Sequence, residues 1–318
     1  MSGAHRCLDN TGTAATLVFG EALVDDFATE QLVGGAPFNV ARHLAAFMAP
    51  QLMITRVGSD RNGATIAAEF ERFAMARSGL QRDTIEETGR VIVERGPQGH
   101  RFVIVPNQAY DYIAREEALA AAATIEAGAF YFGTLAQRGE RARGTLKALL
   151  SSTKAMRFLD VNMRDGQVDE RIVSDSLHAA DIAKVNEDEL QALFGWYFQL
   201  GPNDPPMAAG ETRSACGALL QMFGLEALIV TLGHRGSVYF GAGGVTIDTR
   251  DTPPPAFVID TVGAGDAFSA IFLLGRARGW PLALTLARAN EFAGAICAIP
   301  GAVPRDLGFY DKWMTRWR

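Results

Sequence analysis

The stretch Asp260–Phe268 has the sequence DTVGAGDAF and joins a glycine-rich turn to a carboxylate. It follows a short apolar run, Phe257–Ile259, and precedes a helical pattern. Gly263, Ala264 and Gly265 would let the backbone turn tightly with its N–H groups facing outward, and the helix start adds the positive end of its dipole. This arrangement predicts an anion cradle that could stabilise a transferring phosphoryl group without a lysine.

The carboxylate of Asp266 would lie beside that cradle, where it could take the proton of an attacking hydroxyl group. A structural explanation of the same residues is equally open. Gly263 and Gly265 can form an ordinary strand-to-helix turn, and Asp266 can be a first-turn acid matched to the helix dipole. Glycine-rich turns of this kind are common in α/β folds, so spacing alone does not separate the two explanations.

Composition narrows the class of partner. The 318 residues are 48% apolar and 21% charged, which suffices to bury a core and excludes disordered and collagen-like chains. The net charge of −6 disfavours nucleic acid or an anionic membrane as a partner and favours a small solute.

The three widely spaced cysteines fit a reducing compartment, and no secretion signal or membrane-spanning stretch is evident, so a cytoplasmic protein is expected.

Two common nucleotide motifs are missing from the sequence. No lysine follows a glycine, so there is no GxxxxGK phosphate loop. No GxGxxG follows the first strand with an acid about twenty positions later, so an NAD-linked oxidoreductase is poorly supported. The histidines, His43 among them, have no partners at metal-ligand spacing and are interpreted as surface or helix residues.

The elements that must position these residues follow an α/β pattern. Leu17–Gly20 and Ile54–Gly58 are β-rich runs, and Pro37–Met48 between them has helical spacing with a proline suited to the first turn. Further strands are predicted at Phe130–Gly133, Arg157–Val161, Ile182–Val185 and Leu228–Leu232, and further helices at Arg141–Leu150, Ala267–Arg278 and Leu282–Ala298. Repeated alternation predicts a mostly parallel central sheet flanked by helices.

Two segments interrupt this alternation. Ala22–Leu32 separates the first strand from its helix, and Arg90–Val105 places two β-rich runs around a Gly-Pro turn. A hairpin inside an α/β chain suggests a small sheet that projects from the main one. We therefore predict one domain over residues 1–318 with a small β-sheet lid, formed by discontinuous segments at about 22–34 and 90–113.

Two signatures in the chain resemble those of the PfkB (ribokinase-like) carbohydrate kinases. DTVGAGDAF is similar to the C-terminal signature, and Gly34–Ala41 (GGAPFNVA) to the N-terminal one, roughly two hundred residues earlier. The resemblance extends from about Leu17 to Pro304. It implies a ribokinase-like fold and an ATP-dependent sugar kinase that uses Mg²⁺, with Asp266 as the catalytic base and the backbone of Gly263, Ala264 and Gly265 as the anion hole.

The resemblance also implies a sugar site. The matching positions near the N-terminus are Asp25, Gly34, Gly35 and Asn39. A carboxylate accepts from hydroxyl groups and an amide both donates and accepts, which suits polyol recognition, although the same residue types also serve ordinary turns. Arg101 and Arg164 could neutralise an anionic substrate group, which would favour a sugar acid, or could be solvated surface residues.

A nucleotide site is implied further along. Asn186–Glu189 (NEDE) resembles the family element that helps to organise Mg²⁺ and the triphosphate, with Glu189 in the metal shell, yet it is also a capping box with Asn186 as the N-cap. The positions that resemble the nucleotide loop and a residue near the adenine are Thr231, Gly233, Gly236 and Asn290. Asp260 with Pro300–Val303 loosely matches a loop that binds a monovalent cation such as K⁺ in some members.

The substrate prediction rests on three short stretches. Gly20-Glu21, GGAPFNVA and Asp160–Arg164 (DVNMR) look most like bacterial fructokinases, so fructose is the predicted acceptor. The alternatives are a 2-keto-3-deoxygluconate kinase, a ribokinase or nucleoside kinase, and a sugar sensor without turnover. Relatives also suggest a homodimer formed through the lid.

Overall fold

The computed structural model describes residues 14–27, 30–96, 99–200, 209–250 and 257–317, with the backbone alone at 93–96, 99–102 and 209. Its strands are, in chain order, β1 (Ala15–Phe19), β2 (Leu23–Phe27), β3 (Gln31–Gly34), β4 (Gln51–Gly58), β5 (Leu80–Asp83), β6 (Gly89–Gly96), β7 (Gly99–Ile104), β8 (Ala127–Phe132), β9 (Met156–Asp160), β10 (Ile182–Asn186), β11 (Ala227–Thr231), β12 (Ser237–Gly241) and β13 (Thr246–Asp248).

Its α-helices are α1 (Ala36–Ala46), α2 (Arg61–Arg72), α3 (Arg115–Ala122), α4 (Glu140–Ser152), α5 (Glu170–Ala179), α6 (Glu187–Phe198), α7 (Ala209–Phe223), α8 (Ala264–Ala277), α9 (Leu282–Cys297) and α10 (Asp311–Arg316). Every strand and helix expected from the sequence is found within a few residues of its predicted bounds. The difference in bounds that matters most for the site is at α8, which begins three residues before its predicted start. Asp266 therefore lies inside its first turn.

The central sheet has the strand order β13-β12-β11-β10-β9-β8-β1-β4-β5. All of its strands run in one direction except β12, which pairs antiparallel with both β11 and β13 at one edge. The predicted mostly parallel sheet is thus confirmed. The antiparallel edge follows from the short turn after β11, which is too brief for a helical crossover.

The core lies on both faces of this sheet. Along β1, the side chains of Leu17 and Phe19 pack into one apolar cluster and that of Val18 into the other, and all three are buried. Such two-sided burial is expected of a parallel strand covered by helices. Phe158 of β9 stacks on Tyr131 of β8 and contacts Phe272 of α8, which fixes α8 against the sheet.

A second sheet with the order β3-β2-β6-β7 projects from the first. It is built from the two predicted interruptions, and β6 and β7 form the predicted hairpin, whose turn at 97–98 lies outside the described residues. Leu23, Val91 and Ile104 of this sheet line the same cleft as the ends of the central strands. The small sheet is therefore confirmed, and its movement as a lid stays a prediction.

The central strands bring polar residues to one edge. The carboxyl ends of β9, β10 and β11 carry Asp160, Asn186 and Thr231, and Glu21 follows β1. Ligands of open parallel sheets bind at this edge. Among the described residues, no helix is both long and apolar enough to cross a bilayer.

Candidate active site

A cleft of about 1360 Å³ opens between the carboxyl ends of the central strands and the small sheet. Predicted site residues from distant parts of the chain line it together: Asp25, Gly35, Asn39, Arg164, Asn186, Glu189, Thr231, Gly233, Gly236, Gly263, Ala264, Gly265, Asp266 and Asn290. Gly34 lies behind this surface against the side chain of Asp25. Arg101 lies on β7, where its side chain is outside the described part of the structure.

The glycine turn at the start of α8 is closely packed. Gly263 caps the helix with a φ of 77°, a left-handed conformation that favours glycine. A Cβ at Gly263 would lie 2.3 Å from the Cβ of Ala302. The first N–H groups of a helix lack partners within it, so the turn presents donors and a positive dipole end to the cleft. The residues before it, Phe257–Ile259, form no strand and are exposed.

Asp266 is held by a chain of side-chain hydrogen bonds. The Nδ2 of Asn39 donates to its Oδ2 at 2.7 Å, and the Oδ1 of Asn39 accepts from Arg42 at 2.5 Å. Arg42 also donates to Glu69 at 2.8 Å and to the carbonyl of Val33 at 2.9 Å. The orientation of the Asn39 amide is thereby fixed, so Asn39 contacts the candidate base directly.

The electrostatic setting suits Asp266 for accepting a proton. Burial raises the pKa of its carboxyl to about 6, while the hydrogen bond from Asn39 lowers it and the neighbouring Asp160 raises it. Lys184 and Arg164 also lower this pKa. A carboxyl with a pKa near 6 is mostly ionised at neutral pH, yet is more basic than an exposed aspartate.

Carboxyl groups gather at the end of the cleft next to the small sheet. Burial raises the pKa of Asp25 to about 6 and that of Glu21 to about 7, and Arg164 lowers both. A Cβ at Gly34 would lie 2.6 Å from the Oδ2 of Asp25, and one at Gly35, where φ is 103°, would lie 2.5 Å from the carbonyl oxygen of Glu21. The glycine pair thus allows α1 to begin directly against this acidic end.

Asn186 and Glu189 form the capping box that was one of the two sequence interpretations. The Oδ1 of Asn186 accepts from the amide of Glu189, and the Oε2 of Glu189 accepts from the amide of Asn186, both at 2.9 Å. The Oε1 of Glu189 also accepts from the amide of Met163 at 2.8 Å. Burial raises the pKa of this carboxyl. Each oxygen keeps a further lone pair, so capping leaves capacity for a metal-bound water.

The residues expected at the nucleotide lie at the opposite end of the cleft. Thr231 ends β11, and its Oγ1 donates to the carbonyl of Val185 at 3.3 Å. Gly233 and Gly236 have positive φ values in the short turn to β12. The Nδ2 of Asn290 donates to the Oγ1 of Thr249 at 2.7 Å, and Asn290 lines the cleft from α9.

A buried ion pair at the centre of the cleft was not assigned from the sequence. The Nζ of Lys184 donates to both carboxylate oxygens of Asp160 at 2.7 Å. The Oδ2 of Asp160 also accepts from Ser269 at 2.9 Å and from Tyr131 at 3.2 Å. The available signal was a single lysine inside the apolar run of β10, because a lysine buried in a strand needs a partner.

The loop behind the glycine turn is tied down on two sides. The Oδ2 of Asp260 accepts from the amide of Gly301 at 3.1 Å. His43 is buried in α1, with Nε2 3.2 Å from the carbonyl of Ala302 and Nδ1 2.9 Å from the hydroxyl of Tyr310. A carbonyl only accepts, so Nε2 donates and Nδ1 accepts from Tyr310. His43 is a helix residue, as expected, and it is buried.

The family model described as pfkB family carbohydrate kinase matches residues 9–305. The fructokinase of Salmonella typhimurium is 29% identical over 322 residues, which cover 92% of this chain and 98% of that protein. A crystal structure of fructokinase with bound ATP from Xylella fastidiosa has a TM-score of 0.79 at 20% identity, covering 91% of this chain and 94% of that one. Arabidopsis thaliana ribokinase complexed with ribose and ATP has a TM-score of 0.76 at 23% identity, covering 95% and 99%.

The two solved structures confirm the ribokinase-like fold. Because the family model matches nearly the whole chain, the chain belongs to the pfkB family of carbohydrate kinases. It is therefore a sugar kinase.

Proposed function

We propose that this chain transfers the γ-phosphoryl group of ATP to a hydroxyl group of a small neutral sugar, with fructose the favoured acceptor. The observation that carries the proposal is the buried Asp266 carboxylate in the first turn of α8, directly after the Gly263 cap. One element thus supplies both a proton acceptor and a set of amide donors for a phosphoryl group. Relatives named fructokinase support the choice of acceptor.

The acidic end of the cleft supports a neutral polyol rather than an anion. Asp25, Glu21 and Asp266 line this end, and Arg164 is the cation that lowers the pKa of all three. Carboxylates accept hydrogen bonds from sugar hydroxyl groups, and a carboxyl with a pKa near 7 can also donate one. An anionic group on the acceptor sugar would lie mostly among these carboxyl groups.

In the proposed step, the acceptor hydroxyl oxygen forms a bond to the γ-phosphorus as the bond from that phosphorus to the β–γ bridging oxygen breaks. The electron pair of the broken bond leaves with ADP. The hydroxyl proton passes to the carboxylate of Asp266 and later to solvent. Charge on the transferring phosphoryl oxygens is met by the N–H groups at the start of α8. Among these, the amide of Ala264 would exchange its 3.3 Å hydrogen bond to the carbonyl of Thr261 for one to the phosphoryl group.

Magnesium is the metal that kinases of this chemistry use, and the residues present fit it. Mg²⁺ keeps several waters and binds through phosphates with one or two carboxylates. Glu189 offers such a carboxylate, held rigidly by the amides of Asn186 and Met163. Among the described residues there is no cluster of three or more His, Cys, Asp or Glu side chains that could hold a metal ion. When bound, the ion neutralises phosphate charge.

The experiment that tests the acceptor is ADP release, with ATP and Mg²⁺, over fructose, ribose, 2-keto-3-deoxygluconate, tagatose 6-phosphate and adenosine. Asp25→Asn should raise KM for fructose more than tenfold, since this carboxyl would bind sugar hydroxyl groups. Asp26→Asn is the matched control on the same strand, and Asp26 is not among the described residues that line the cleft. A stronger response to another acceptor would overturn the fructose assignment.

A sugar acid is the second candidate, because Arg164 lies exposed in the cleft near the acidic end. A guanidinium can bind a carboxylate bidentately. If 2-keto-3-deoxygluconate is the acceptor, Arg164→Ala should raise its KM far more than the KM for any neutral sugar. Equal effects on both classes would exclude this candidate.

We also propose a homodimer formed through the small sheet. We further propose K⁺ as a cofactor where the side chain of Asp260 meets the loop that contains Gly301. The carboxylate of Asp260 is the anionic donor this loop offers, and its bonds to the amides of Val262 and Gly301 already order the loop. Light scattering tests the dimer, and a monomeric mass would refute it. Replacement of K⁺ by tetramethylammonium tests the ion, and equal activity in both salts would refute a role for K⁺.

A further inference from the structure

The Lys184–Asp160 pair lies against the glycine turn. Lys184 is 5% exposed and Asp160 is 2% exposed, and both line the cleft. A Cβ at Gly265 would lie 3.4 Å from the Nζ of Lys184. The ammonium therefore faces the first turn of α8 directly.

The pair has a fixed direction. Asp160 is held by Ser269 of α8 and Tyr131 of β8, and it engages the ammonium with both oxygens. An ammonium group has three hydrogens, and two of them satisfy the two contacts to Asp160. The third hydrogen takes part in neither contact, and the Nζ that carries it lies next to the glycine turn.

The cleft holds few positive charges for a site that would bind a triphosphate. Among the described residues that line it, the lysine and arginine side chains are those of Lys184 and Arg164, which are outnumbered by carboxyl groups. Arg164 lies near Asp25 and Glu21 at the sugar end. Phosphoryl transfer requires positive charge at the equatorial oxygens, and Lys184 is the cation next to the proposed anion hole.

We propose that Lys184 is a catalytic residue that contacts the transferring phosphoryl group from beneath Gly265, with Asp160 as the group that positions it. This rests on the proposed function. Lys184 gains and loses no proton in the step: the acceptor oxygen bonds to the γ-phosphorus, the bridging oxygen leaves with ADP, and Asp266 takes the hydroxyl proton. The glycine at 265 then leaves no side chain between the ammonium and the phosphoryl site.

The test uses a mimic of the phosphoryl group in transfer. Binding of ADP with Mg²⁺ and the best acceptor sugar is measured by calorimetry with and without aluminium fluoride, for the wild type and for Lys184→Met. In the wild type the fluoride should tighten ADP binding more than tenfold. In Lys184→Met, aluminium fluoride should no longer tighten ADP binding, whereas the affinity for ADP measured without fluoride should stay the same. The kcat of this variant should fall about a hundredfold. If aluminium fluoride tightens ADP binding to Lys184→Met as much as it does to the wild type, the proposal is overturned.

A purely structural role for Lys184 makes a different prediction. If Lys184 only neutralises Asp160, then Lys184→Met/Asp160→Asn, which removes both charges, should restore kcat. It should also restore the tightening of ADP binding by aluminium fluoride. Under the proposal the double variant folds, with a melting temperature near that of the wild type, and keeps the low kcat. This variant also replaces the single one if the unpaired buried Asp160 prevents folding.

Lys147→Met is the matched control, because Lys147 pairs with Asp175 on the surface of α4 and should leave every reading unchanged. The wild type separates the two proposals. If it releases no ADP with any acceptor, the proposed function is wrong and the role of Lys184 falls with it. If it releases ADP and Lys184→Met matches it, the role of Lys184 alone is wrong.

Discussion

Replacement of Asn39 by alanine should move the acid limb of the pH–rate profile. Asn39 donates to the Oδ2 of Asp266 at 2.7 Å, and this bond lowers the pKa of a carboxyl that burial has raised to about 6. A hydrogen bond to a charged group is worth about 1.5 kcal/mol at the lower end of measured values. Since one pKa unit corresponds to about 1.36 kcal/mol, its loss should raise the pKa by about one unit, to about 7.

The expected size of the effect depends on pH. At about pH 6 the ionised fraction of Asp266 should fall from about one half to about one tenth, roughly a fivefold loss of kcat/KM, by the same relation. At about pH 8 the fraction stays above about nine tenths, so ionisation should change the rate little. The ratio of the two rates removes any constant effect of Asn39 on sugar binding.

The assay is kcat/KM for the acceptor sugar across this pH range, because that parameter reports the ionisations of the free enzyme. Asn62→Ala is the control, since Asn62 lies on α2 and is not among the described residues that line the cleft. If Asn39→Ala keeps the wild-type ratio of rates, then Asn39 does not tune Asp266, or Asp266 is not the base.

Two further substitutions test the surroundings of the base. Glu189→Gln should raise several-fold the Mg²⁺ concentration needed for half-maximal rate. Asp169→Asn, which alters a carboxylate that caps α5 outside the cleft, should not, and equal behaviour of the two variants would leave Glu189 as a helix cap alone. Gly263→Ala should reduce kcat more than tenfold and lower the melting temperature, because its Cβ would meet Ala302. Gly279→Ala has a similar positive φ with open space around it, so an equal loss of stability in both would refute the role of that contact.

Local sequence patterns were sufficient for most of the fold. The apolar β-rich runs and helical spacings predict the central sheet, and the Gly-Pro turn between two β-rich runs predicts the small one. The antiparallel edge of β12 and β13 was not predicted, because its strands are short and follow a turn that resembles many others. Local signals report an element and its burial pattern more reliably than its partner strand.

The site was predictable where its residues sit in one motif and not where they meet through space. Asp266 and the glycines before it are adjacent in sequence. The contact between Asn39 and Asp266 joins residues 227 positions apart, and the Lys184–Asp160 pair depends on the register of β9 against β10. A lone lysine in an apolar strand signals a buried partner, yet nothing local identifies which carboxylate it meets.

The most direct test of the account is ADP release by Asp266→Asn, measured with fructose or with whichever acceptor proves fastest. Asparagine keeps the size of the side chain and cannot accept the hydroxyl proton as a base. A general base contributes about 10²–10⁴-fold to rate, so the variant should lose at least a hundredfold in kcat while its binding of ATP and sugar, measured by calorimetry, stays within a few-fold of wild type. Turnover equal to that of the wild type would contradict the assignment of Asp266 and the mechanism built on it.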